Sequence, residues 1–67
     1  MEKFVERLKE LRLERGLSKE QVSKDTGLSR SAISLWEAGK RVPNAEAVVV
    51  LAKYFEVTTD FLLGVDN

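Results

Sequence analysis

Apolar residues recur along this chain at helical spacing, and polar punctuation cuts the pattern into five pieces. Phe4, Val5, Leu8 and Leu11 line one face of a first helix over about residues 3–15, and Gly16 is placed to end it in a left-handed cap. Ser18 opens a short second helix, about 19–26, with Val22 as its inward residue. Ser18 and Gln21 have the spacing of a capping box, in which each side chain satisfies the other residue's backbone N–H. Gly27 supplies a turn, Ser29 caps a third helix over about 30–38, and Gly39 stops it. After a loop from Lys40 to Pro43, Asn44 caps a fourth helix, about 45–55. Thr58 caps a fifth, about 59–63, closed by Gly64.

The fourth segment is contested, because the run Val48–Val50 has strand propensity. Val48, Leu51, Ala52 and Phe55 nevertheless fall at i, i+3, i+4 and i+7, which favours a helix. A second stripe, Ala47, Val50 and Tyr54, runs away from that face, and Phe61 and Val65 follow near the C-terminus. Small monomers rarely expose a large apolar patch. Val50, Tyr54, Phe61 and Val65 are therefore expected to form a homodimer interface; the competing arrangement has Phe61 folding back on the fourth helix. No hairpin signal, repeat, low-complexity stretch or long linker interrupts the pattern. The expected architecture is a single all-α domain over residues 1–67, built from five helices.

Residues 18–41 carry the chemistry. Two short capped helices meet there at one glycine-containing turn, which is the helix-turn-helix layout. In such a pair the second helix lies in the DNA major groove and the first crosses above it. On a helical wheel Ile33 and Trp36 fall together with Ala32 beside them, and they are expected in the core. Arg30, Ser31, Ser34, Leu35 and Ala38 fall on the other side. One long cation, two hydroxyls and two apolar groups suit base edges. Arg bonds guanine O6 and N7 together, Ser donates or accepts, and an aliphatic group meets the thymine methyl. Arg12 and Glu37 each border an apolar stripe, where an unpaired charge is costly, so they are expected to pair. No His, Cys or second carboxylate converges on them to make the pair catalytic.

The chain resembles the lambda-repressor/Cro-like (Xre-type) helix-turn-helix family from about Val5 to Gly64. The resemblance rests on Leu8, Leu11 and Arg12; Gly16–Leu17–Ser18; Val22; Gly27–Leu28–Ser29–Arg30–Ser31; Ile33; Trp36–Glu37; Gly39–Lys40–Arg41; Pro43; Leu51–Ala52; Val57–Thr58; and Leu62–Leu63–Gly64. No one piece is specific, but the ordered set with its spacing is. The resemblance implies a five-helix domain that binds operator DNA as a symmetric dimer and regulates transcription, with repression the expected outcome. It places base reading on Arg30, Ser31, Ser34 and Leu35. It places phosphate contacts on Lys19 and on the loop Ala38–Gly39–Lys40–Arg41, and it pairs Arg12 with Glu37. Ser29 is chiefly a cap, although the exposed helix start can also hold a phosphate. Lys19 stands where many members carry Gln, and supplies a point charge without an acceptor. Leu35 stands where many carry a polar reader, which implies a methyl contact. Glu56 stands where Gly or Asn often ends the fourth helix, which implies a strained cap.

Composition narrows the alternatives. A chain of 67 residues buries only about 60% of the surface it exposes unfolded. It has no Cys and no His, which excludes disulfides, thiolate or imidazole metal sites and the corresponding catalysis. With no phosphate-cradling glycine loop either, no enzymatic activity, cofactor or small-molecule substrate is expected. The longest apolar run, Ala47–Ala52, is too short for a membrane, and no signal peptide opens the chain, so a cytoplasmic location is expected. Net charge is zero, which argues mildly against nucleic acid. Its distribution argues the other way: residues 18–41 carry five basic and three acidic side chains, whereas residues 42–67 carry one basic and four acidic. A basic middle can face phosphates while an acidic tail faces away. The second reading is a helix-turn-helix scaffold that dimerises or docks a protein without reading DNA; the zero net charge and the extra apolar stripe suit it.

Overall fold

The computed structural model describes residues 1–66 of the chain. Among them it holds five α-helices and no strand: α1 (Glu2–Glu14), α2 (Lys19–Thr26), α3 (Arg30–Glu37), α4 (Ala45–Phe55) and α5 (Thr59–Leu63). Four helices start on a side-chain cap. Ser18, Ser29, Asn44 and Thr58 accept hydrogen bonds from the backbone N–H groups of Gln21, Ala32, Ala47 and Phe61, at 2.8–3.0 Å. Each cap satisfies a donor that the first turn leaves orphaned and contributes about 1 kcal/mol. The expected capping box is only half formed. The Gln21 amide donates to Asp25 four residues on, at 2.8 Å, rather than returning to Ser18. Two boundaries also differ from the sequence reading: α1 starts at Glu2 with Arg15 as its C-cap, and α3 ends at Glu37 with Ala38 as its cap.

Apolar periodicity decides the contested fourth segment, since Val48, Leu51, Ala52 and Phe55 are all buried on one face of α4. Ala47 departs from expectation. Only 3% of it is exposed, so it belongs to the core rather than to an outward stripe. α3 packs on α1 and α2, and α5 packs on α1 and α4, around Phe4, Leu8, Ile33, Leu51, Phe55 and Leu62. Trp36 meets Phe4 edge to face, with ring centroids 6.5 Å apart. Its buried indole N–H finds no acceptor among the described residues, so Trp36 serves by packing.

Arg12 and Glu37 are both buried, at 9% and 8% exposure. The guanidinium donates Nε–H to one carboxylate oxygen at 2.7 Å and Nη2–H to the other at 2.9 Å, and Nη1–H reaches the Leu17 carbonyl at 2.9 Å. The hydrogen bond to Glu37 pushes the Arg12 pKa up. The bidentate geometry offsets the cost of taking two charges out of water. It also ties α1 to α3 and to the segment leading into α2.

The end of α4 is the strained point. Glu56 has φ 59° and ψ 42°, a left-handed conformation that disfavours a Cβ. Val57 N–H closes the cap by donating to the Ala52 carbonyl at 3.0 Å. Arg15 supplies further support by donating to the Phe55 carbonyl at 2.6 Å. At Gly64 the need for glycine is steric as well, because a Cβ there would collide with the Lys3 side chain.

Glu37→Ala strands a buried cation and is expected to lower the unfolding free energy by about 3–5 kcal/mol in urea titrations, whereas joint apolar replacement of Arg12 and Glu37 recovers most of the loss. Glu56→Gly relieves the cap and is expected to add about 1 kcal/mol to thermal stability; an unchanged or lower melting temperature would contradict the strain argument.

Candidate nucleic-acid interface

α2 and α3 are joined by Gly27, Leu28 and Ser29, and the turn is held by side chains of α2. Gly27 takes φ 78°, which lets the chain reverse without strain. Thr26 Oγ1 donates to the Val22 carbonyl at 2.7 Å and accepts from the Leu28 N–H at 3.2 Å. Ser23 Oγ donates to the Leu28 carbonyl at 2.5 Å. Leu28, between these bonds, packs against the core. The sequence reading missed Ser23 and Thr26, although hydroxyls one and four residues before the turn glycine are placed to bond the local backbone.

Ile33 and Trp36 anchor α3 from below and turn its other side outward. Arg30 and Ser31 are exposed there, and Ser34 and Leu35 are half-buried. Only the parts of Ser34 and Leu35 that clear their neighbours are open to a partner. An α-helix with its side chains is about 10–12 Å across, close to the roughly 12 Å width of the B-DNA major groove. Arg30 stands at the first residue of α3, while Gly39, Lys40 and Arg41 lie exposed just beyond its last. The loop is tied back by Lys40 N–H to the Leu35 carbonyl at 2.9 Å and Gly39 N–H to the Trp36 carbonyl at 3.1 Å. Cations therefore bracket both ends of α3. Ser29 is exposed and spends its hydroxyl on the Ala32 N–H. Lys19, half-buried, opens α2. Beside it is a residue that the sequence reading counted only as charge: Glu20 Oε1 lies 3.9 Å from Arg30 Nε.

α2 is braced from behind as well. Asp25 accepts from Gln21 and, at 2.6 Å, from the Tyr54 hydroxyl of α4. That bond to Asp25 is the main cause that pushes the Tyr54 pKa up. Tyr54 is thus half-buried and fixed against α2, on the opposite flank of α4 from Val49. Phe61 is half-buried under Arg7 of α1, whose guanidinium lies 4.2 Å from the ring centroid and also donates to the Phe61 carbonyl. Phe61 therefore meets α1. Arg7 pairs with Asp66 at 2.6 Å and holds that carboxyl below the usual carboxylate range. Val50 is half-buried and Val65 is exposed. The structure does not bring the four residues expected at a dimer interface into one uncommitted patch. More apolar surface lies on the Val49 flank, where Pro43, Ala45, Val48, Val49, Thr59 and Leu63 line a shallow groove.

Among the described residues no group of three or more His, Cys, Asp or Glu side chains could hold a metal ion. Among the same residues no helix is long and apolar enough to cross a membrane.

The helix-turn-helix family profile matches residues 8–62. BcrR of Enterococcus faecalis, an HTH-type transcriptional activator, is 44% identical over 61 residues, covering 91% of this chain and 30% of that protein. AnsR of Bacillus subtilis (strain 168), an HTH-type transcriptional regulator, is 37% identical over 60 residues, covering 90% of this chain and 52% of its own length. RstR, the cryptic phage CTXphi transcriptional repressor of Vibrio cholerae, is 33% identical over 54 residues, covering 81% of this chain and 49% of its own. The chain thus spans about half the length of two of these relatives and less than a third of the other. No solved structure matches it.

Proposed function

We propose a mode of action for this chain, which belongs to the helix-turn-helix family: it binds double-stranded DNA sequence-specifically and thereby regulates transcription. The observation that carries this reading is the outward face of α3, held by buried Ile33 and Trp36 and bracketed by Arg30 at one end and Lys40 and Arg41 at the other. α3 enters the major groove. Arg30 reads a guanine through its fork, Ser31 and Ser34 bond base edges, and Leu35 meets a thymine methyl. Lys19, Gly39, Lys40, Arg41 and the Ser29-capped start of α3 set the register on phosphates. Neither a cofactor nor a catalytic step is involved, and the site of action is the cytoplasm.

Two copies acting as a homodimer place their α3 helices in successive major grooves, about 10 bp apart on a pseudo-palindromic operator. The α4–α5 side is the proposed contact, centred on Val49, Val50 and Val65, whereas Tyr54 and Phe61 are already engaged by Asp25 and Arg7. Exposed Val49 and Val65 and the groove beside Leu63 favour that side, as apolar surface that the monomer leaves uncovered. Repression is the proposed outcome. Occupying a groove is enough to exclude another protein, whereas activation needs an added contact.

Arg30→Ala is expected to cost about 1–3 kcal/mol of operator affinity and to relax the preference at one base position, read by selecting bound sites from a random duplex pool. Lys40→Ala is expected to weaken all sequences alike and to lower the slope of log affinity against log salt by about 1. Uniform loss in both variants would overturn this division of roles, and absence of any gel shift at low salt would leave the protein-interaction reading. Sedimentation is expected to give a dimer on a two-half-site duplex; a monomer at high concentration with and without DNA would rule the dimer out.

A further inference from the structure

We propose that Glu20 is a specificity-determining residue, a carboxylate set beside Arg30 that discriminates against duplex of the wrong sequence; this rests on the DNA-reading function proposed above. Glu20 lies in the first turn of α2 and Arg30 opens α3, so the Gly27 turn brings two helix starts side by side. The carboxylate and guanidinium are 3.9 Å apart, and their side chains are 78% and 60% exposed. A pair that long and that wet contributes almost nothing to folding. Glu20 also suits the positive end of α2, but a neutral side chain would lose only a small, exposed charge–dipole attraction there.

Its position matters because of what must come next to it. Glu20 adjoins Lys19 in sequence and lies 3.9 Å from Arg30, so it sets a negative charge beside two of the cations, while Lys40 and Arg41 lie beyond the other end of α3. Unspecific binding consists almost wholly of cation–phosphate attraction. On such DNA Arg30 has no bidentate base partner and remains within reach of Glu20, whose charge offsets part of its attraction to the backbone. Meanwhile the carboxylate itself repels phosphates of any sequence. On the right sequence, guanine O6 and N7 draw the Arg30 fork into the groove. The freed carboxylate can then accept only from an exocyclic amino group, on cytosine or adenine. Glu20 thus penalises every duplex but the correct one least, and specificity is that difference.

The test is Glu20→Gln, which keeps the shape and removes the charge. Its melting temperature checks that the fold is kept. Affinities are measured for an operator selected by the wild type and for an unrelated duplex, across a salt series. The variant is expected to bind the unrelated duplex roughly three- to fivefold tighter at low salt, with a salt slope steeper by about 0.9. The operator should gain less, so the specificity ratio falls. Glu20→Lys should go further in the same direction. In an Arg30→Ala background the change in ratio should disappear. Equal tightening of both duplexes, no tightening of either, or a ratio change that survives Arg30→Ala overturns the proposal. If the wild type selects no site from the pool, the DNA-reading function fails and this proposal with it. Selection by the wild type with an unchanged ratio in the variant sinks the proposal alone.

Discussion

The Arg12 guanidinium spends its donors on both oxygens of Glu37 and on the Leu17 carbonyl, and all three bonds lie in or at the edge of the core. Two buried charges are tolerable only in that geometry, since either one alone would have to be resolvated. The consequence is positional. Glu37 is the last residue of α3, Arg12 sits near the end of α1, and Leu17 immediately precedes the cap of α2. One side chain therefore sets how α3, α1 and the start of α2 stand to one another. A chain of 67 residues without disulfides has a small core with which to impose such an orientation. A directional pair adds registry that apolar contacts do not supply.

The α2–α3 element is stiffened by short-range bonds in the same manner. Ser23 and Thr26 fasten the turn to the body of α2, and Asp25 fastens α2 to Tyr54 of α4. None of these bonds uses the outward side of α3. Its exposed groups, with Arg30 beside Glu20, stand on a frame that these bonds keep ordered.

The C-terminal side works differently. Arg7 covers the Phe61 ring and holds Asp66, so α5 is closed down on α1 by a cation rather than by apolar packing alone. That closure takes Phe61 partly out of the apolar surface, while Val42, Val49 and Val65 stay exposed.

Much of this was legible in the residues themselves. Caps and left-handed stops are local devices, so Ser18, Ser29, Asn44, Thr58 and the glycines marked five helices to within a residue or two. Periodicity is likewise local, and it resolved the valine run of α4 in favour of a helix. The helix-turn-helix layout and the outward set led by Arg30 follow from those two signals together. Tertiary structure decided whatever depends on a neighbour distant in sequence. Ala47 looked outward on its own helix and is covered by the fold. Gln21 had a local choice of two partners and took Asp25. Tyr54 and Phe61 read as free apolar surface until Asp25 and Arg7 met them from other helices. Glu20 was one charge among many until the turn set it against Arg30. A helical repeat specifies which way a side chain leaves its own helix; what stands there to receive it is fixed only when the helices pack.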